Sequence, residues 1–148
     1  MSSRRHPFSN EPIARDAGLL VIRLGVGLTM ALMHGWGKIT GGTELWGQLG
    51  GAMGNLGVAF APVAFGFLAA FAEFFGGLLV AAGVAFRPAA AMLAFTMFVA
   101  VVTHLNMPPE SPNAGWTGAS HAFKLMVVYF GLILTGPGRF SFPAPKSH

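Results

Sequence analysis

Arg23 and Glu73 are charged residues well inside apolar stretches of this 148-residue sequence, where an ionised side chain is expensive to bury. On a helix, Glu73 shares its face with small residues of the kind that let membrane helices approach closely, namely Gly66, Ala69, Ala70, Gly76 and Gly77. We therefore expect Glu73 to point into the protein. Its expected partner is Arg23, whose guanidinium stays protonated when buried.

Three interpretations of these two residues remain open at the level of sequence. The ion pair could serve only to fix the register of two helices. Alternatively, Glu73 could be protonated and lie on a path for protons or for a quinol. In the third interpretation, Arg23 and Glu73 each have a separate partner.

Three histidines, His34, His104 and His121, lie near the ends of three different apolar runs, with Lys38 and Lys124 close to them. Imidazole suits zinc, copper and iron, so three such side chains could form a metal site without sulfur ligands. Their spacing matches no known ligand motif, however, and we expect no bound metal. The histidines either line a polar pocket for a small headgroup, such as that of a quinone, or anchor loops at a membrane interface.

The composition indicates an integral membrane protein. Apolar residues make up 53% of the chain and charged residues 9%, against roughly a quarter charged in a soluble domain. There is no cysteine, which excludes disulfides, thiolate metal sites and catalytic thiols. The formal charge of +4 comes from scattered residues that form no basic run, so we expect no nucleic-acid partner.

Four apolar runs, 17–36, 61–86, 88–105 and 118–135, are each long enough to cross a bilayer as a helix. A glycine-rich loop with a short interfacial helix near 44–49 follows the first run, and Arg87-Pro88 marks a tight turn between the second and third. The proline-rich segment 106–117 is a loop, and Gly136-Pro137-Gly138 ends the fourth run. The predicted fold is an all-α integral membrane four-helix bundle.

Residues 17–142 form the predicted transmembrane domain, preceded by an arm at 1–16 and followed by a tail at 143–148. Most lysines and arginines that lie outside the runs fall on one side of this bundle, and Lys38 is the exception. By the positive-inside rule, both termini and the Arg87 turn face the cytoplasm, and the two long loops face outward. The predicted location is the bacterial cytoplasmic membrane.

The ordered motifs resemble those of the DoxX family of small bacterial membrane proteins, over residues 17–142. The motifs are Arg23-Leu24-Gly25-Val26-Gly27, His34-Gly35-x-x-Lys38, Glu73-x-x-Gly76-Gly77, Gly83, Arg87 and Gly136-Pro137-Gly138-Arg139-Phe140-Ser141. The resemblance implies a four-helix membrane bundle linked to membrane redox complexes, and the related DoxD branch is associated with thiosulfate:quinone oxidoreductase. Many members carry an acidic residue near the start of the fourth helix, where this chain has His121 and Lys124, which would suit an anionic ligand.

Two classes of function follow from these residues. The first is a redox-linked subunit, such as the membrane part of a quinone-linked oxidoreductase, with a quinone held between the first, second and fourth helices. In this hypothesis Glu73 and His34 donate protons, and four residues bind the ligand: Arg23, Lys38, His121 and Lys124. The second is a non-catalytic assembly protein that docks a partner through its outer loops. The sequence identifies neither the substrate nor a redox partner protein, and it does not decide between a monomer and a homo-oligomer.

Overall fold

A computed structural model describes residues 14–142 of the chain. It has a short helix in the first long loop and four long helices, each long and apolar enough to cross a membrane. These are α1 (Arg15–Ile39), α2 (Gly42–Gly50), α3 (Pro62–Ala82), α4 (Phe86–Leu105) and α5 (Gly115–Thr135). No strand occurs among the described residues. The predicted fold class is confirmed, and α2 is the short helix expected near 44–49.

Local sequence signals explain several helix ends. Pro62 lies in the first turn of α3, where its missing N–H needs no partner. Gly136, with a φ of +75°, follows the last residue of α5 as predicted. The expected turn at Arg87-Pro88 is wrong, because α3 already ends at Ala82 and Gly83 takes a left-handed φ of +74°. Both residues instead belong to the first turn of α4, where proline is tolerated.

Two segments of π-helix interrupt the long helices. One occupies Met30–Gly35 in α1, the other occupies Ala72–Gly76 in α3, and the two segments pack against each other. A π-helical turn holds more residues than an α-helical turn, so it rotates the faces of everything that follows it. Faces assigned at 100° per residue therefore fail beyond Met30 in α1.

Helix α2 packs along the first turns of α3. The α-carbon of Gly50 lies so close to Pro62 that a Cβ would overlap its carbonyl oxygen, and Gly66 lies equally close to the backbone of Trp46. The four-residue spacing on both helices shows that α2 runs antiparallel to α3. The indole Nε1 of Trp46 also donates to the Lys38 carbonyl oxygen at 2.8 Å, which satisfies one of the acceptors at the end of α1.

The core lies between the four long helices, and α4 and α5 form one of its most extensive contacts. Tyr129 of α5 is fully buried, and its hydroxyl donates to the Val26 carbonyl oxygen of α1 at 3.1 Å. The bundle has two ends. We call the end with residues 14–16, 83–87 and 135–142 the terminal end, and the end with residues 39–62 and 106–114 the loop end.

Candidate functional site

Lys38 and Glu73 form a bidentate ion pair in the interior of the protein. The Lys38 ammonium donates to the two carboxylate oxygens of Glu73 at 2.6 and 2.7 Å. The Glu73 side chain is 3% exposed and the Lys38 side chain 31% exposed. Glu73 lies near the middle of α3, in its π-helical segment, so the lysine carries a positive charge from the end of α1 toward the middle of the bundle.

The expected pairing of Arg23 with Glu73 is therefore wrong. Helices α1 and α3 run antiparallel and meet at Gly27 and Gly77, and from this contact Arg23 lies toward the terminal end while Glu73 lies toward the loop end. At 1.5 Å per residue, their α-carbons differ in height by roughly 12 Å. Side chains on a helix also lean toward its N-terminus, which takes Arg23 farther from Glu73.

The same lean explains why Lys38 reaches Glu73. Lys38 belongs to the last turn of α1 and lies closer to the loop end than Glu73 does. Its side chain leans back along α1, and the Glu73 side chain leans toward the start of α3, so the two charged groups converge. Lys38 was predicted to bind a ligand, but the sequence did not identify it as the partner of Glu73.

Arg23 instead holds the segment that follows α5. It is buried, and its guanidinium donates to the carbonyl oxygen of Pro137 at 3.1 Å and to that of Phe140. Gly83 leaves the space for it, since a Cβ at this position would overlap one guanidinium nitrogen. Through these contacts Arg23 holds the segment after α5 against α1 at the terminal end of the bundle. This position is far from Glu73.

An apolar cavity of about 530 Å³ opens beside the ion pair, a volume within the range of small-molecule sites. Its walls come from α2 and the turn after it, from α3 and from α4, and α1 contributes Lys38. Six polar side chains line it among a larger number of apolar ones and a glycine: Lys38, Gln48, Glu73, Thr96, Thr103 and His104. Two lining residues, Leu68 and Phe95, are 56% and 54% exposed, so the cavity opens on the side of α3 and α4.

The cavity is not where we expected a site. We placed one between the first, second and fourth long helices, whereas the observed cavity lies mainly between α2, α3 and α4. Four residues of that expected site do not line it: Arg23, His34, His121 and Lys124. The rings of His34 and His121 approach each other instead, with centroids 5.6 Å apart, and both residues are exposed, as is Lys124.

His104 joins the site through its position on the last turn of α4. It lines the cavity, and its Nδ1 lies 2.8 Å from the Asn113 carbonyl oxygen in the following loop. The three histidines do not come together, and no group of three or more metal-ligating side chains occurs in residues 14–142. Only the pair formed by His34 and His121 matches the predicted cluster.

Sequence reasoning missed the walls of this cavity. Met53, Phe65 and Met92 are ordinary apolar residues on three different elements, and no local pattern marks them. The glycines of α2 were a usable signal, because Gly50 permits the close contact with α3 that places α2 beside the cavity.

These observations define a class of protein: a multi-pass helical membrane protein with a partly buried lysine–glutamate pair beside a laterally open apolar cavity. A family model for DoxX matches residues 18–106. The chain belongs to the DoxX family, and the matched part contains Lys38, Glu73 and the whole cavity lining. No curated protein and no solved structure matches the chain at a significant level.

Proposed function

We propose that the cavity binds a lipid-soluble quinone and that the protein is the membrane subunit of a quinone-linked redox system. The observation that carries the proposal is the Lys38–Glu73 pair on the wall of an otherwise mostly apolar cavity. A quinone needs an apolar slot for its substituents and tail and a hydrogen-bond donor for a ring carbonyl. The cavity combines these two features.

Lys38 is suited to donate that hydrogen bond. Two of its three ammonium protons go to Glu73, and the third has no protein acceptor among residues 14–142. The pair has one carboxylate for one ammonium, so an incoming neutral ligand meets an oriented donor without an excess charge. A carbonyl oxygen is a good acceptor for this donor because the hydrogen bond is charge-assisted.

The position of the opening favours a ligand that arrives through the bilayer. Leu68 of α3 and Phe95 of α4 belong to helices long and apolar enough to cross a membrane, and both line the cavity and are more than half exposed. A water-soluble substrate would have to cross lipid to enter there. A quinone dissolved in the bilayer reaches the same opening directly.

Proton transfer is the part of the chemistry that the chain's own residues can supply. Reduction of a quinone to a quinol takes up two electrons and two protons. Lys38 and His104 line the cavity as groups that can donate a proton, and the Glu73 carboxylate in the same wall can take one up and pass it on. The electrons must come from a partner protein that carries a redox centre. The resemblance to DoxX proteins, which implies an association with membrane redox complexes, agrees with this assignment.

Binding of a short-tailed benzoquinone to the detergent-purified full chain tests the proposal. Lys38→Met should weaken binding at least about tenfold, the equivalent of one lost charge-assisted hydrogen bond. Ala69→Phe, which adds bulk to the cavity wall but keeps the ion pair, should also weaken it. His34→Ala is the control, because His34 lies outside the cavity, and its affinity should match that of the wild type.

Two results would contradict the proposal. Equal quinone affinity in the wild type, Lys38→Met and Ala69→Phe would show that the cavity is not the site. Failure of the folded wild-type protein to bind any quinone, together with no quinone in lipid extracts of the purified protein, would favour a non-catalytic assembly protein.

A further inference from the structure

A second cavity, of about 570 Å³, lies at the terminal end of the bundle. It is bounded by the start of α1, by the turn between α3 and α4 together with the first turn of α4, and by the segment that follows α5. Arg15, Arg87 and Arg139 line it, one from each of these three parts of the chain. We call it the arginine cleft, and all three of these residues are exposed.

The charge of the arginine cleft is not balanced within the described chain. Asp16 is the carboxylate that lines it, and this carboxylate accepts a hydrogen bond from the backbone N–H of Arg139 at 3.1 Å. Between residues 14 and 142, Asp16 forms no salt bridge with an arginine side chain. Three cationic groups thus share one cleft with a single carboxylate, and their mutual repulsion favours an anionic ligand.

Contacts within the chain restrict two of the three arginine side chains. Arg87 donates through Nε to the Ile133 carbonyl oxygen at 3.2 Å, which leaves the two terminal nitrogens of its guanidinium for a ligand. The guanidinium carbon of Arg139 lies 5.8 Å from the ring centroid of Phe140, which restricts this side chain. Beneath them, Arg23 binds the carbonyl oxygens of Pro137 and Phe140 and fastens the wall that carries Arg139.

We propose that the arginine cleft binds the phosphate group of an anionic phospholipid. Guanidinium groups match phosphate oxygens in planar, bidentate geometry, and the cleft is lined by three residues that carry this group. The cleft lies at one end of the four candidate spans, which is where headgroup phosphates lie in a bilayer. Basic pockets between membrane helices bind anionic headgroups in the same way.

An exposed aromatic side chain beside the arginines favours a lipid over a free phosphate ion. Phe142 lines the same cleft and is 74% exposed. A free phosphate would gain nothing from this ring, whereas the glycerol and upper acyl chain of a phospholipid would cover it. A phospholipid and a free phosphate ion both present a phosphate group to the arginines, and the experiment below distinguishes the two ligands.

The test measures lipid binding to the full chain in detergent by native mass spectrometry, with phosphatidylglycerol, with phosphatidylcholine and with inorganic phosphate alone. Phosphatidylglycerol should bind in preference to phosphatidylcholine. Arg15→Gln and Arg139→Gln should each weaken its binding about fivefold, the effect of removing one basic residue near a lipid surface. Lys124→Gln, which removes an exposed cation distant from the cleft, should leave it unchanged.

Each alternative outcome overturns a stated part of the proposal. If Lys124→Gln weakens binding as much as the two arginine substitutions do, the effect is one of total charge and the cleft is not a site. If the arginine substitutions abolish binding of inorganic phosphate but phosphatidylglycerol and phosphatidylcholine bind alike, the lipid assignment is wrong. A folded wild-type protein that binds neither phosphatidylglycerol nor phosphate overturns the proposal entirely.

Discussion

Gly27 of α1 and Gly77 of α3 face each other so closely that neither position has room for a Cβ. A Cβ on Gly27 would lie 2.6 Å from the carbonyl oxygen of Gly77, and a Cβ on Gly77 would lie 2.7 Å from that of Gly27. Backbone atoms cannot move aside as a flexible side chain can. This contact sets the register of the two helices, and the register decides which charged residues meet.

Alanine at Gly27 should destabilise the bundle. The added methyl group meets the α3 backbone, and overpacking of this kind costs about 1–3 kcal/mol. Gly25→Ala is a matched control on the same helix, since a Cβ there meets nothing within 4 Å, and the better helix propensity of alanine should leave this variant unchanged or slightly more stable. Thermal unfolding in detergent compares the two variants, and equal midpoints would contradict the tight contact.

Removal of Lys38 should destabilise the protein more than removal of Glu73. Lys38→Met leaves a carboxylate that is only 3% exposed without its partner, and loss of one partner of a buried pair costs about 3–5 kcal/mol. Glu73→Gln leaves a lysine whose side chain is 31% exposed and can turn toward a polar surface. The double variant should recover much of the stability lost in Lys38→Met. A double variant no more stable than Lys38→Met would show that the two residues do not interact energetically.

Loss of the Arg23 guanidinium should loosen the terminal end. Arg23→Met removes the hydrogen bonds to the carbonyl oxygens of Pro137 and Phe140, each of which is charge-assisted and worth about 1.5–3 kcal/mol. Limited proteolysis should then cut the segment after α5 faster than in the wild type. Arg15→Gln, which removes an exposed arginine from the same end, is the control, and equal cleavage of both variants would contradict the role of Arg23.

The orientation in the membrane remains a prediction from charge placement, with both termini in the cytoplasm. Single cysteines in place of Ser3, Arg87 and Ser147 should be shielded from an impermeant thiol reagent in intact cells. Cysteines in place of Gln48 and Asn113, in the two long loops, should react. Labelling of the cysteine at position 147 from outside would overturn this topology.

The four long helices could be predicted from the sequence because each is a continuous apolar run, and lipid forces the backbone of such a run to satisfy its hydrogen bonds internally. Helix ends were predicted where glycine or proline acts locally, as at Pro62 and Gly136. The turn between α3 and α4 was misplaced because Arg87-Pro88 can begin a helix as readily as it can interrupt one.

Residue type singled out Arg23 and Glu73, since a charge inside an apolar run is expensive and is a candidate functional residue. Lys38 was singled out as the cation beside the histidines near the end of the first run. The sequence did not identify the partner of each charged residue. Helical periodicity places a residue on a face, but it carries no information about the height at which an antiparallel neighbour presents its own charge. The π-helical segments Met30–Gly35 and Ala72–Gly76 rotate those faces further, and nothing in the sequence marks them.

The sequence by itself therefore determined that this protein is an all-α membrane bundle with buried charges, because composition and periodicity act along the chain. Only the tertiary structure decided that Glu73 pairs with Lys38, that Arg23 fastens the segment after α5, and that an apolar cavity lies between α2, α3 and α4. The physical reason is that these features depend on where helix backbones touch. In this bundle the contact of Gly27 with Gly77, and that of Gly50 with Pro62, sets the positions of the helices.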